Sequence, residues 1–299
     1  MKKKNIAIFA AVAVLSGTIL IPSVRAAAES ALSVFRVSDA KTITVSVTDI
    51  QDIANYVKQL KAGVKDGKTA GEAGLKKDTA NPQAAVKSAV RPLADAKDFT
   101  AFQISLPRTN AGTPKLYSIA SGSKTFTLNT ADINAQLAKL KGNPISGSLN
   151  GTKITVGTPP AAIAEYPDFT LIETQGVSVD APRDALSTLW SELTSQPMIP
   201  ADLSSQLAVI DPASRDVYLP VIEGLGRTTD LGVTTGYLYS AKDLAQVAAL
   251  VPNLATAGQV TKLQKENASA LIWVKDGVLS VLAGNRSDSE LSQIARSIR

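Results

Sequence analysis

The chain has 299 residues, 44% of them hydrophobic, 19% charged and 5% aromatic, with 31 Lys plus Arg against 26 Asp plus Glu. That is the composition of a globular protein, long enough for one large core or two modest ones. It has no Cys and no His, which excludes disulfides, thiolate nucleophiles, Cys/His zinc centres, imidazole bases and the Ser-His-Asp triad.

The formal charge of +5 is concentrated at the N-terminus. Lys2, Lys3, Lys4 and Arg25 flank the first apolar run, and removing these four leaves 27 basic against 26 acidic residues, a net of about +1. No Lys/Arg stripe with interleaved aromatics remains, so nucleic acid is not an expected partner. Asn5 to Val24 carries no charge and reads as a membrane-targeting segment within residues 1–25. As a helix, Ile6 to Ile21 spans about 24 Å and Asn5 to Val24 about 30 Å, against a hydrocarbon core of roughly 30 Å. Two outcomes stay open. Val24-Arg25-Ala26 and Ala26-Ala27-Ala28 offer small residues to a signal peptidase, which would release a secreted protein. Ala26 to Phe35 is a good helix former that would instead prolong an uncleaved, single-pass plasma-membrane anchor. In both cases the lysines stay inside and the rest of the chain is extracytoplasmic.

In chain order, Lys41 to Val47 alternates as a strand, and Thr48 with Gln51 has capping-box spacing for a helix to about Lys61. Gly63 to Pro82 is a Gly/Lys/Thr-rich loop, and a short helix over Gln83 to Val90 stops near Pro92. Three β segments follow, at 101–107 (AFQISLP), 115–121 (KLYSIAS) and 124–129 (KTFTLN), the last two forming a hairpin around Ser121-Gly122. Thr130 to Leu140 is a helix closed by Gly142-Asn143-Pro144. Strands are expected at 152–157, 159–166 and 169–174. Asp180 and Pro182 supply the cap and first-turn proline of a helix burying Leu186, Leu189, Trp190 and Leu193. Another short helix occupies 200–210. The last third carries strands at 217–222 and 236–240, a helix at 241–250, and a hairpin of 269–274 with 278–283 across Lys275-Asp276-Gly277. Ser287 and Glu290 form a capping box for a final helix burying Leu291, Ile294 and Ile298. Strands and helices come in blocks, which implies an α+β fold with a mostly antiparallel curved sheet packed with helices. The expected extracytoplasmic units are 26–145 and 146–299.

Chemistry without His can use Ser-x-x-Lys, which occurs as Ser38/Lys41 and Ser121/Lys124. That motif works at a helix start, and both copies lead into strands. Glu165 and Glu173 are a carboxylate pair of the kind that flanks a glycosidic bond, but surface solvation is the expected role. Gly224-Leu225-Gly226 lacks the third glycine of a dinucleotide loop and reads as a turn, and no Walker loop or EF-hand pattern occurs. No catalytic residue, metal ligand or cofactor is therefore assigned. Trp190 and Trp273 are expected in the core; their functional alternative is an aromatic wall of a ligand or partner cleft.

The tail ALIWVKDGVLSVLAGNRSDSELSQIARSIR, through Trp273, Gly277, Gly284, Ser287, Glu290, Ile294, Ala295, Ser297 and Ile298, resembles a C-terminal extracytoplasmic domain of bacterial membrane-anchored anti-sigma-factor-like, envelope-stress regulatory proteins. RAAAESALSVFRVSDAKTITVS, LNGTKITVGTPPAAIAEY and PMIPADLSSQLAVID are similar to other parts of such regions. The resemblance implies a non-enzymatic sensor or regulatory binding protein acting through a membrane partner or an envelope-derived ligand. It departs from the family at the start: only Met1 to Lys4 precede the apolar segment, with none of the Cys and His of the family's cytoplasmic zinc-binding domain. The alternative is a carrier or chaperone sheltering an apolar lipid or peptide in the concavity of the sheet.

Overall fold

The structure, a computed structural model, describes residues 40–51, 90–108, 112–212, 217–232, 234–250 and 268–298. The targeting segment with its two cleavage motifs, Ser38, the helix beyond 51, the 63–82 loop and the 83–89 helix lie outside those residues. No helix among the described residues is long and apolar enough to cross a membrane.

The fold is α+β and mostly antiparallel. Its centre, among the described residues, is an eight-stranded sheet. In spatial order it contains β10 (Arg227–Asp230), β11 (Thr235–Tyr239), β12 (Ser269–Lys275), β13 (Val278–Gly284), β7 (Phe169–Gln175), β6 (Ala161–Glu165), β3 (Lys115–Ile119) and β2 (Val90–Leu93). A three-stranded sheet joins β4 (Gly122–Thr127), β5 (Lys153–Thr158) and β8 (Ser178–Asp180), and β1 (Ala40–Val45) pairs with β9 (Val217–Ile222) in parallel. Among the described residues, and besides a helical turn beginning at residue 47, the helices are α1 (Thr130–Lys139), α2 (Arg183–Thr194), α3 (Ala201–Ala208), α4 (Ala241–Leu250) and α5 (Asp288–Ser297). Since β1 pairs with β9, β3 with β6 and β4 with β5, the described parts of 26–145 and 146–299 share all three sheets.

The expected hairpin around Ser121-Gly122 does not form. Both of its strands instead pair with the segment beyond α1: Lys115 to Ile119 with Glu165 to Ala161, and Gly122 to Thr127 with Thr158 to Lys153. The two ladders keep one register and are interrupted where Pro159 and Pro160, which have no amide hydrogen to donate, lie opposite Ala120 and Ser121. The break lets each long strand pass from one sheet to the other. The expected strand at 101–107 is also absent as a strand: its only bridge is Pro107 with Ile298. Residues 99–107 form a strap over the sheet face. Its apolar alternation is real, but a segment lying on a face has no edge to ladder with.

Several helix boundaries also differ from those the sequence suggests. The first helical turn is capped at Ser46, whose hydroxyl receives the Asp49 amide at 3.0 Å while the Asp49 carboxylate receives the Ser46 amide at 3.0 Å, two residues before the expected Thr48 box. Asp180 belongs to β8, and Pro182 stands at the N-cap of α2 with no side-chain cap. Val90 and Pro92 lie in β2, an edge strand where proline is tolerated. The last hairpin forms as expected: Asp276 (φ 50°) and Gly277 (φ 76°) have the paired positive φ that a tight two-residue turn needs. So does the Ser287/Glu290 capping box of α5.

Period-2 alternation gives the large sheet two apolar faces. Ala270, Ile272, Val274, Val281 and Ala283 pack with Leu244 and Val247 of α4 and Leu219 and Ile222 of β9. On the other face, Leu271, Trp273, Leu282 and Leu171 pack beneath Leu291, Ile294 and Ala295 of α5. The amphipathic α2 serves two cores. Leu186, Leu189 and Leu193 meet Ile154 and Val179 of the small sheet, while Trp190 meets Ile43, Leu203 and Ile210. Gln206 of α3 acts as a strand partner for β1, accepting from the Thr44 amide at 2.8 Å and donating to the Thr44 carbonyl at 2.9 Å.

Candidate functional site

On the α5 face, register places side chains in rows across the strands. The row under the helix is apolar: Leu271, Leu282, Leu171, Ala164 and Leu116. Two residues further along each strand, the next row is Trp273, Ser280, Glu173, Ala162 and Ser118, and beyond it lie Lys275, Val278 and Gln175. The 99–107 strap lies over this transition from apolar to polar. A cavity of about 300 Å³ remains beneath it, lined by Phe102, Gln103, Ser105, Glu173, Trp273 and Lys275, among others.

The strap is fastened through its backbone. Pro107 bridges Ile298 after α5, Leu106 packs against the core beneath that helix, and the Ser105 amide donates to Glu173 Oε2 at 2.9 Å. Phe102 meets Phe99 edge-on, with ring centroids 4.8 Å apart. A shallower groove of about 450 Å³ follows residues 96–104 on the strap itself.

Glu173 is 3% exposed. Burial pushes its carboxyl up to about 7, against the opposing pull of hydrogen bonds from the Ser105 amide and the Ser280 hydroxyl, which favour the ionised form. Its charge in turn adds to the burial that raises Tyr166 to about 12, the Tyr166 ring being stacked on Phe169. Among the described residues Glu173 forms no ion pair. Its sequence context, alternating FTLIET in a strand, contains the signal for burial: Phe169, Leu171 and Glu173 share a face. The expectation of solvation from residue type alone missed it.

The two tryptophans do not meet in one cleft. Trp190 is 6% exposed in its own core cluster and donates its indole N–H to the Leu207 carbonyl at 3.0 Å. Trp273 is 3% exposed yet lines the cavity beside Glu173. Glu165 and Glu173 do not flank a common space either. Glu165 is opposite Thr170, so it points to the other face of the sheet from Glu173, and it receives the Tyr117 hydroxyl at 3.2 Å. Ser121 is exposed between β3 and β4, and Lys124 is exposed on β4, its ammonium 5.1 Å from the Phe126 ring centroid. Gly224 and Gly226, with φ of 74° and 72°, form the β9–β10 turn.

No group of three or more metal-ligating side chains gathers among the described residues. What the arrangement offers is a small, partly open space with one buried carboxyl, two aromatic side chains and amide groups at Gln103 and Gln175. Compared with known proteins, the chain matches no family model, no curated protein and no solved structure.

Proposed function

We propose that this chain is a non-enzymatic extracytoplasmic binding protein, kept at the plasma membrane or exported by its N-terminal segment. It takes a ligand beneath the 99–107 strap and modulates an anti-sigma-type envelope signalling system through a membrane partner. The observation that carries the binding part is the cavity in which Glu173, Ser280 and Trp273 stand side by side under a strap tied to the same carboxylate. The strap joins the cavity to the Pro107–Ile298 bridge beyond α5, so occupancy would be felt at the tail whose residues resemble the regulatory family.

The carrier of an apolar chain would use the same space. Glu173 weighs against it, because an acyl chain there would remove water from a carboxylate and return no hydrogen bond.

The test is in vivo photo-crosslinking from the outer face of the membrane, with a photoreactive residue in place of exposed Val209 and another in place of Gln103, followed by identification of the captured protein. A membrane protein with a cytoplasmic signalling portion is the expected capture, together with altered envelope-stress transcripts on deletion. Unchanged transcripts and no captured partner would overturn the signalling reading.

A further inference from the structure

We propose that the cavity under the strap is a binding site for a small organic cation, a compact amine with a short apolar or aromatic body, ion-paired to Glu173. The proposal rests on the binding reading above and names the ligand class of that site.

Three features of the cavity converge on a cation. The first is an uncompensated acid. Glu173 is held by neutral donors, the Ser105 amide at 2.9 Å and the Ser280 hydroxyl, and by no described basic side chain. Lys275 lines the cavity but belongs to the next row outward, level with Val278 and Gln175. A buried carboxylate without a counter-charge is unfavourable, and an ammonium beside it would restore the missing half of the pair.

The second feature is the wall. Trp273 and Phe102 both line the space, and aromatic rings attract cations through their negative faces while accepting an apolar ligand body. The third is the rim, where Asp276 adds a second acidic group. A carboxylate or phosphate ligand would meet both acids. The volume of about 300 Å³ is at the lower end of the roughly 300–1,000 Å³ of small-molecule sites, which favours a compact ligand over an extended one.

The test is calorimetric titration of the full chain, in a neutral maltoside detergent at pH 8, with phenethylamine and with its uncharged counterpart 2-phenylethanol. Phenethylamine is expected to bind at least tenfold more tightly than the alcohol. Glu173→Gln is expected to lose at least tenfold in amine affinity and to leave the alcohol unchanged. Lowering the wild type to pH 5.5, which protonates Glu173 without any substitution, should weaken the amine in the same way and serves if the variant does not fold. Equal binding of the two probes, or an amine affinity indifferent to both Glu173→Gln and pH, overturns the assignment of a cation. Saturable binding of dodecanoate in place of the amine overturns the ligand class and leaves the binding reading standing. Absence of binding by every probe overturns the site, whereas the signalling reading fails separately, in the crosslinking.

Discussion

Glu173 and Trp273 stand in one register row of the large sheet, separated only by Ser280 on the strand between them. Neither is adjacent to the other in sequence, and both are almost fully buried. Their juxtaposition makes a carboxyl the floor of a cavity with an aromatic wall, and it ties the behaviour of the site to the ionisation of one group.

The stability of the protein should therefore fall as the pH rises through that ionisation. The Glu173 carboxyl is raised from 4.5 to about 7 in the folded chain, so the native state holds the proton more tightly than the unfolded state does. The penalty is absent well below 4.5, grows between 4.5 and about 7, and is complete above. It amounts to about 2 kcal/mol between pH 5 and pH 8. Among the described residues, Lys275 and Asp276 also line the site, and Tyr166 feels the charge of Glu173. Urea unfolding of wild type and Glu173→Gln at both pH values measures this. The variant should lack that part of the pH dependence and be the more stable of the two at pH 8, and identical slopes would contradict it.

Trp190 joins β1, α2 and α3, and its replacement should be costly in two separable steps. Trp190→Phe keeps much of the packing but leaves the Leu207 carbonyl without its indole donor, at a cost of about 1–2 kcal/mol. Trp190→Ala also empties the space among Ile43, Leu203 and Ile210 and should cost about 3–5 kcal/mol. Denaturant midpoints of the two variants give both numbers, and a loss below about 1 kcal/mol for the alanine would show that this cluster does not hold β1 in place.

Gly284 closes β13 against the turn before β7. A Cβ there would collide with the Asp168 carbonyl and stand 2.5 Å from the Phe169 Cα, both backbone atoms that no rotamer change can move. Gly284→Ala should lose about 1–3 kcal/mol. Thermal unfolding checks it, with Gly147→Ala, where the added methyl meets nothing within 4 Å, as the matched substitution expected to be nearly silent.

At α5, the Ser287 hydroxyl and amide, then Arg286, hold the Glu290 carboxyl at about 2. This contribution is present above the ordinary value of 4.5 and is lost as the pH falls from there through about 2. Ser287→Ala should cost about 1 kcal/mol at neutral pH and reduce the loss of stability on acidification. A pH series of unfolding midpoints between 2 and 6 tests both; a variant with the same acid sensitivity as wild type would mean that the residue-287 amide and Arg286 hold the Glu290 carboxyl without the hydroxyl.

What was legible in the chain was whatever is decided within a few residues. The buried face of α2 follows from helical spacing of Leu186, Leu189, Trp190 and Leu193; the final turn follows from Asp276-Gly277; the cap of α5 follows from Ser287 and Glu290. Each depends on local backbone geometry, so the residues involved carry the information themselves. The tertiary structure alone decided the partners. Pairing of β3 and β4 with the segment beyond α1 depends on a register interrupted by two prolines about 40 residues away, and a turn signal at Ser121-Gly122 contains nothing of that. The 101–107 segment has the alternation of a strand and becomes a strap because it meets a sheet face instead of an edge. Glu173, whose type suggests a solvated position, is buried because that strap crosses over it and hands it the Ser105 amide. Alternation puts Glu173 on the face of Phe169 and Leu171, but what covers that face arrives from elsewhere in the chain, and here the cover turns an ordinary strand glutamate into the chemical centre of the candidate site.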